Sequence, residues 1–223
     1  MRILFVDNDQ TICELFQTTL EKRYQANVIT AQTAAQAINL IKNDADIDIV
    51  VCDYILSDDH GANIYRFIRD NYPQTVFILQ TSNLQIIKTD TRFFDFFDNI
   101  HINRAISRPF TPSELFWVIG DSHYTRKISL SNSAYRQQER CNIIIDAFIL
   151  GRSIKSKQHV RSLNVCQNGM FIICDQDLLE VGDIISYEMS VNFFNYDKPQ
   201  AIVRWKRKGN ICNLPSGVGV EFI

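Results

Sequence analysis

Residues 47–61 read IDIVVCDYILSDDHG. Ile47–Asp53 is nearly continuous apolar and closes on an aspartate, the pattern of a strand buried on both faces. Toward the N-terminus, Arg2–Val6 is another short apolar run, and it ends in Asp7-Asn8-Asp9. Ile12, Leu15, Phe16 and Leu20 then recur at helical spacing through Thr11–Tyr24. Asn27–Ala31 reads as a strand, and Ala34, Ala37, Ile38 and Ile41 mark the next helix face. In the other direction, Ile64, Phe67 and Ile68 mark a helix after Gly61. Val76–Thr81 is a fourth strand, residues 84–98 read as a helix, Arg104–Ser107 is a fifth strand, and Pro112–Ile119 begins a last helix. This alternation predicts an α/β unit, a doubly wound sheet of five parallel strands. In that architecture ligand chemistry gathers at the carboxyl ends of the strands. Asp7, Asn8 and Asp9 end the first strand, Asp53 the third, Thr81 the fourth and Arg108-Pro109 the fifth.

The chain has 223 residues, 46% hydrophobic and 22% charged, a globular balance with room for two ordinary domains. No apolar run approaches the roughly 18 residues of a membrane helix, so no membrane span is expected. The opening MRILFVDND reaches acidic residues at once, which speaks against a secretory signal. Six cysteines lack paired metal-type spacing and four histidines are dispersed. Reduced, buried thiols in a cytoplasmic protein are the expectation, without zinc. Charge divides the chain. Residues 1–122 carry 10 Lys+Arg against 16 Asp+Glu, a net of −6, and residues 123–223 carry 13 against 9, a net of +4. Two domains with different partners follow from that asymmetry. The polar stretch SHYTRKISLSNSAY at 122–135 is the natural linker. The expected division is 1–121, a linker at 122–133, and 134–223.

Carboxylates converging with a hydroxyl and a cation suit a hard divalent metal and a phosphoryl group. A carboxylate such as Asp53 can then attack phosphorus, with the metal and Arg108 offsetting the developing charge. Residues 1–121 resemble the receiver domain of two-component response regulators, a flavodoxin-like fold. The resemblance rests on ILFVDND at 3–9, VVCDYILSDDHG at 50–61, FILQTS at 77–82 and SRPFTPSEL at 107–115. It implies Asp53 as phospho-acceptor and Mg²⁺ held by Asp7, Asn8, Asp53 and the backbone carbonyl of Ile55. Thr81 becomes the switch hydroxyl, and Arg108 stands where the phosphate-pairing lysine is usual. This chain departs from the pattern in places. Asn8 replaces an acidic metal ligand, so Mg²⁺ affinity should fall, with Asp9 able to compensate in part. Arg108 spreads its charge over a larger planar fork. Ala105 stands at the position of the aromatic switch residue, and Ser57 at that of a proline. Phosphorylation is therefore expected to be impaired or altered, and a vestigial site kept for docking or dimerisation is the alternative. Phe93, Phe94, Phe96 and Phe97 cannot all share one helical stripe. Phe93, Phe94 and Phe97 read as one side and Phe96 as the ring pointing elsewhere; core packing with one exposed ring and an interaction patch both remain open.

From Cys141 helical periodicity fades. Cys141–Leu150, His159–Val165, Met170–Cys174, Asp183–Val191, Pro199–Lys206 and Val218–Ile223 are strand-like, with Gly151, Gly169, Gly182 and Gly209 as turn signals. Six short strands predict an all-β domain, a small six-stranded antiparallel barrel. Trp205, on a strand, reads as core. Arg136 and Arg140 lie four apart before the first strand, and Asn164-Val165-Cys166-Gln167-Asn168-Gly169 follows the second. On spacing alone the arginines are a solvated charge pair or a bidentate grip on phosphate and guanine. The combination resembles the PilZ domain, together with LLEVGD at 178–183, AIVRW at 201–205 and GVGVEF at 217–222. That resemblance implies cyclic di-GMP as ligand. Arg136 and Arg140 would hold guanine and phosphate, Asn164 and Cys166 would meet a guanine edge, and Gly169 would permit the turn. Cys166 stands in place of serine, and a thiol is the weaker hydrogen-bonding group.

The expected function is a bacterial signalling adaptor. Its receiver takes a phosphorelay or docking input from a sensor histidine kinase or phosphotransfer protein. Its barrel binds cyclic di-GMP, and output passes to a downstream protein by contact. A homodimer is compatible with this. A pure protein-interaction scaffold with no small-molecule ligand is the alternative. DNA binding is not expected, because no helix-turn-helix pattern is visible and +4 is modest. No enzyme activity is expected, since no nucleophile–histidine set is visible.

Overall fold

The computed structural model describes residues 1–44, 46–96, 98, 103–129, 142–151, 154, 156–175, 177–191, 200–209 and 215–223, with the main chain alone for 121–129 and 142. The chain divides into two compact units, Met1–Pro112 and Ser113–Ile223.

The first unit alternates strand and helix: β1 (Arg2–Val6), α1 (Gln10–Tyr24), β2 (Asn27–Ala31), α2 (Ala34–Asn43), β3 (Ile49–Asp53), α3 (Gly61–Asn71), β4 (Val76–Thr81), α4 (Ile86–Thr89) and β5 (Asn103–Ser107). β1 pairs in parallel with β2 and β3, β3 with β4, and β4 with β5. The spatial order β2-β1-β3-β4-β5 is that of a flavodoxin-like, doubly wound sheet. Every residue of β3, β4 and β5 is buried, which is why these runs lack a polar alternation. The helices start where the sequence supplies caps. Asp9 accepts from the N–H groups of Thr11 and Ile12 at 2.8 and 3.3 Å, and Thr33 accepts from that of Gln36. Asp58, in the loop after β3, reaches the first turn of α2, accepting from the N–H groups of Ala34 and Ala35 at 2.7 and 2.9 Å.

Residues 84–98 differ from the expected continuous helix. α4 has only four residues, and a 3₁₀ turn follows at Thr91–Phe93. Asp90 between them is extended and caps the turn through the N–H of Arg92, so the helical phase is broken there. The phenylalanine reading changes with it. Phe93 and Phe96 are buried, while Phe94 is 71% exposed under the Arg66 guanidinium at 4.9 Å. Phe96 packs on Tyr65 and Phe93, and its carbonyl accepts from Asn103 Nδ2 at 2.8 Å. Phe97 lies outside the described residues.

α5 (Pro112–Ser129) starts at the boundary, and from Ser113 on it belongs to the second unit. This helix continues through the first part of the stretch read as a linker, which contains neither glycine nor proline before Ser129. A short β6 (Asn142–Ile144) leads to β7 (Asp146–Gly151), β8 (Gln158–Cys166), β9 (Gly169–Ile173), β10 (Ile184–Met189), β11 (Gln200–Arg207) and β12 (Gly217–Phe222). The expected first strand, Cys141–Leu150, is thus two strands separated by Ile145. Ser162 Oγ ties them to β8, accepting from the N–H of Ile145 and donating to the carbonyl of Ile143. β7 to β12 close an antiparallel six-stranded barrel in the order β10-β11-β12-β9-β8-β7, with β7 and β10 sealing it. Its core includes Ala147, Ile149, Val165, Met170, Ile172, Ile185, Val203, Val220 and Phe222. Trp205 is not core. A bulge between Val203 and Trp205 shifts the register, and the indole lies across Gly219, stacked on Phe171 at 5.2 Å and 40% exposed.

Candidate functional site

The parallel sheet brings together residues that are far apart in sequence. Asp7 follows β1 and is fully buried; Asp53 closes β3 and is 8% exposed. Arg108 follows β5, across a cis peptide to Pro109. Its Nη2 rests on Asp7 Oδ2, and its Nη1 lies 3.6 Å from Asp53 Oδ2. One planar fork therefore spans two carboxylates from different strands. Asp7 has further donors: the N–H of Asp9 to Oδ1 at 3.0 Å and Gln80 Nε2 to Oδ2 at 3.1 Å. Gln80 is fully buried on β4 and was not among the expected site residues. Its sequence signal is a polar side chain directly ending the apolar run Val76–Leu79, one residue before Thr81. Thr81 is buried, and its Oγ1 accepts from the N–H of Asn83 at 3.1 Å. Gly61 opens α3 directly against the acceptor strand. A Cβ there would lie 2.3 Å from the carbonyl oxygen of Asp53, so the helix could not start this close with any other residue.

Burial pushes the Asp53 carboxyl above its ordinary value. Arg108 opposes that rise, Asp7 adds to it, and the N–H groups of Tyr54 and Ile55 oppose it. Two thiols lie behind the acids. Cys13 Sγ donates to the carbonyl of Asp7 at 3.4 Å, and Cys52 Sγ to that of Asp53 at 3.1 Å. Tyr54, next to the acceptor, donates from its hydroxyl to Asp90 Oδ2 at 3.1 Å. Arg92 grips the same carboxylate and donates to Asn63 Oδ1 at 2.9 Å. A polar chain thus runs from the acceptor loop to the turn after α4.

The donor set expected for Mg²⁺ does not fit a divalent cation in this arrangement. Asn8 is exposed and carries no charge. The Asp9 carboxylate, expected to compensate, caps α1. Asp7 already takes three donors, one of them the Arg108 guanidinium that also faces Asp53. Among the described residues no three His, Cys, Asp or Glu side chains gather as a metal needs. Ala105 is buried in β5, so no aromatic stands at the switch position.

A family model described as the response regulator receiver domain matches residues 3–119, more than half of the chain. The chain belongs to the response regulator receiver family. Its receiver half is 30% identical over 114 residues to the response regulator SaeR of Staphylococcus aureus, a match covering 51% of this chain and 46% of that protein. The chain thus spans about half the length of the curated relatives it matches. Similar solved structures include a response regulator receiver domain protein from Clostridium thermocellum (TM-score 0.49, 21% identity, 57% of this chain and 98% of that one). Another is a CheY-like receiver domain protein from Methanospirillum hungatei JF-1 (TM-score 0.49, 22% identity, 56% and 96%).

In the barrel, the β8–β9 hairpin carries three expected site residues. Asn164 sits beside a bulge in β8 and pairs with Phe171. Cys166 is buried, and its thiol donates to the carbonyl of Gly169 at 3.4 Å. Gly169 is needed for close approach rather than for a left-handed turn: a Cβ there would lie 2.1 Å from the carbonyl oxygen of Val220 on β12. Arg136 and Arg140 lie outside the described residues. No helix of the described residues is long and apolar enough to cross a membrane.

Proposed function

We propose that the chain is a bacterial signalling adaptor. Its receiver half takes an input at the Asp53 site, by phosphorelay from a histidine kinase or phosphotransfer protein or by docking of a partner. Its barrel half is a PilZ domain that binds cyclic di-GMP. Arg136 and Arg140 grip phosphate and guanine in this reading, and Asn164 meets a guanine edge. Output is contact with a third protein from the cytoplasm, and coupling requires two states that each input favours differently. The observation that carries the reading is the pairing of a receiver domain with a closed six-stranded antiparallel barrel. The barrel has a glycine-closed hairpin at 164–169 about 24 residues after Arg140, where the PilZ pattern puts its second motif. A second reading, a scaffold with no small-molecule ligand, draws on the buried Cys166 thiol, which is turned to the Gly169 carbonyl. Calorimetric titration with cyclic di-GMP, with GTP as control, separates the two. Arginine-dependent micromolar binding is expected. Silence in the wild type, with the fold intact, would leave the scaffold.

A further inference from the structure

We propose that the receiver site carries its own cation: Arg108, held by an Asp7 that Gln80 helps to fix and facing Asp53, takes over the charge role of a divalent metal and sets the site without one. The inference rests on the receiver half of the reading above and is independent of the barrel's ligand.

Four observations converge. First, Asp7 is fully buried, and a buried carboxylate keeps its charge only with a close, hydrogen-bonded partner. Arg108 Nη2 is that partner, and Nη1 of the same fork lies 3.6 Å from Asp53 Oδ2. A lysine would meet the two acids from one compact ammonium, whereas the fork presents a separate N–H edge to each. Second, Gln80 donates to the Asp7 oxygen that Arg108 uses, at 3.1 Å. Its backbone pairs beside Asp53 in the sheet, but its side chain reaches only Asp7 and the carbonyl of Val6 among the described contacts, so it is a positioning residue. Third, the nearby acidic side chains are already used. Asp9 caps α1, Asp58 holds the first turn of α2, and Asp59 accepts from the N–H of His60 and from Asn63. Fourth, Asn8 has lost a charge at the very position from which a metal would need it, and is exposed.

These features form one coordinated change. Two carboxylates and one guanidinium leave the site at a net −1. Adding a divalent cation beside a guanidinium already paired with Asp7 would set like charges against each other, with no third carboxylate among the described residues to offset them. Position 8 offers no charge to attract a metal, and Arg108 places a cation within reach of both acids. The receiver half is thereby held in one charge state whatever the divalent cation concentration, and a partner that docks on it reads a preformed surface.

The experiment uses the full chain and Mn²⁺ as the probe, followed by electron paramagnetic resonance, alongside thermal unfolding in EDTA and in millimolar MgCl₂ at matched ionic strength. The wild type is expected to bind no Mn²⁺ and to unfold at the same temperature with and without MgCl₂. N8D/R108K, which restores the acid and the compact cation, is expected to gain Mn²⁺ binding by at least about tenfold and to be stabilised by MgCl₂. Mn²⁺ binding by the wild type that is lost in D53N overturns the proposal. So does a folded N8D/R108K with no gain, because Arg108 and Asn8 would then not be what excludes the metal. If N8D/R108K does not fold, R108K alone is scored by the same two readouts, and the wild-type result decides either way. A silent cyclic di-GMP titration would remove the barrel's ligand and leave this result untouched.

Discussion

The two halves of the molecule build their candidate sites in opposite ways. In the receiver half, Asp7, Asp53, Gln80 and Arg108 come from four strands of a parallel sheet, and topology alone brings them together. In the barrel half, the described part of the candidate site, Asn164, Cys166 and Gly169, lies within six residues on one hairpin. The charges differ in the same sense. The receiver acids are buried and satisfied by one another's partners. Several of the barrel's pairs, Arg204–Glu221, Lys157–Glu188 and Lys206–Glu180, involve exposed carboxylates at its surface, although Arg161 on β8 pairs with Asp146 in a more sheltered place. A site assembled by topology is a stability element as well as a functional one, whereas a site on a hairpin can be altered while the barrel stands.

The largest expected effect tests that asymmetry directly. Arg108→Ala leaves the buried Asp7 without its cation, and breaking such a pair costs about 3–5 kcal/mol; urea unfolding of the full chain measures it. If the loss is under about 1 kcal/mol, as at exposed pairs, the receiver site is no more structural than the barrel surface. Next comes Gly169→Ala. Its new Cβ meets the Val220 carbonyl at 2.1 Å, backbone against backbone, and overpacking of this kind costs about 1–3 kcal/mol. It is the one hairpin change expected to unsettle the barrel. Asn164→Ala, by contrast, should leave the unfolding curve in place and weaken cyclic di-GMP binding roughly fivefold, the worth of one neutral hydrogen bond. Calorimetry on the variant checks this, and an unchanged affinity removes Asn164 from the site.

The smallest effects are in pH dependence, and two receiver aspartates should respond with opposite sign. Arg92 holds the Asp90 carboxyl below its ordinary value of 3.8 by hydrogen bonds, against some burial. Its contribution to stability is full above that value and is lost as pH falls through the lowered one. The deficit of Asp90→Asn should therefore be present at neutral pH and vanish in acid. Burial raises the Asp53 carboxyl, so its favourable, protonated form is complete below the ordinary value and is lost as pH rises through the raised one. Asp53→Asn should match the wild type in acid and be the more stable protein at neutral pH. Chemical unfolding across the acidic range compares both variants, and a stabilising Asp53→Asn at low pH only would reverse the sign given to burial there.

Much of the receiver half could be read from the chain because its strands are buried on both faces and each ends in a polar residue. The chemistry is thus written where the apolar run stops. Gln80 is also the residue where its run stops, but Thr81 beside it carries the expected role, and the sideways reach of Gln80 to Asp7 is a contact that spacing along one strand cannot encode. Phe96 was placed on the wrong side because one helical phase was carried through Asp90, where the chain is extended. Trp205 reached the surface through a bulge, and a one-residue slip inverts the face of every side chain beyond it. The barrel's strands were legible from their turns. Its site was legible only as a motif, since the described part is a single hairpin and Arg136 and Arg140 lie outside the described residues.

The two thiols behind the acids give the receiver half a built-in clock. Burial and the neighbouring Asp7 push the Cys13 thiol up to about 11, and burial carries Cys52 well above its ordinary value. Closed, both are therefore poor nucleophiles toward an alkylating reagent. Each is tied to the main chain of one site aspartate, so neither can react until that backbone lifts away. The rate at which either one is labelled is then the rate, or the population, of local opening at the site itself. A docked partner would register as slower labelling of cysteines the chain already carries.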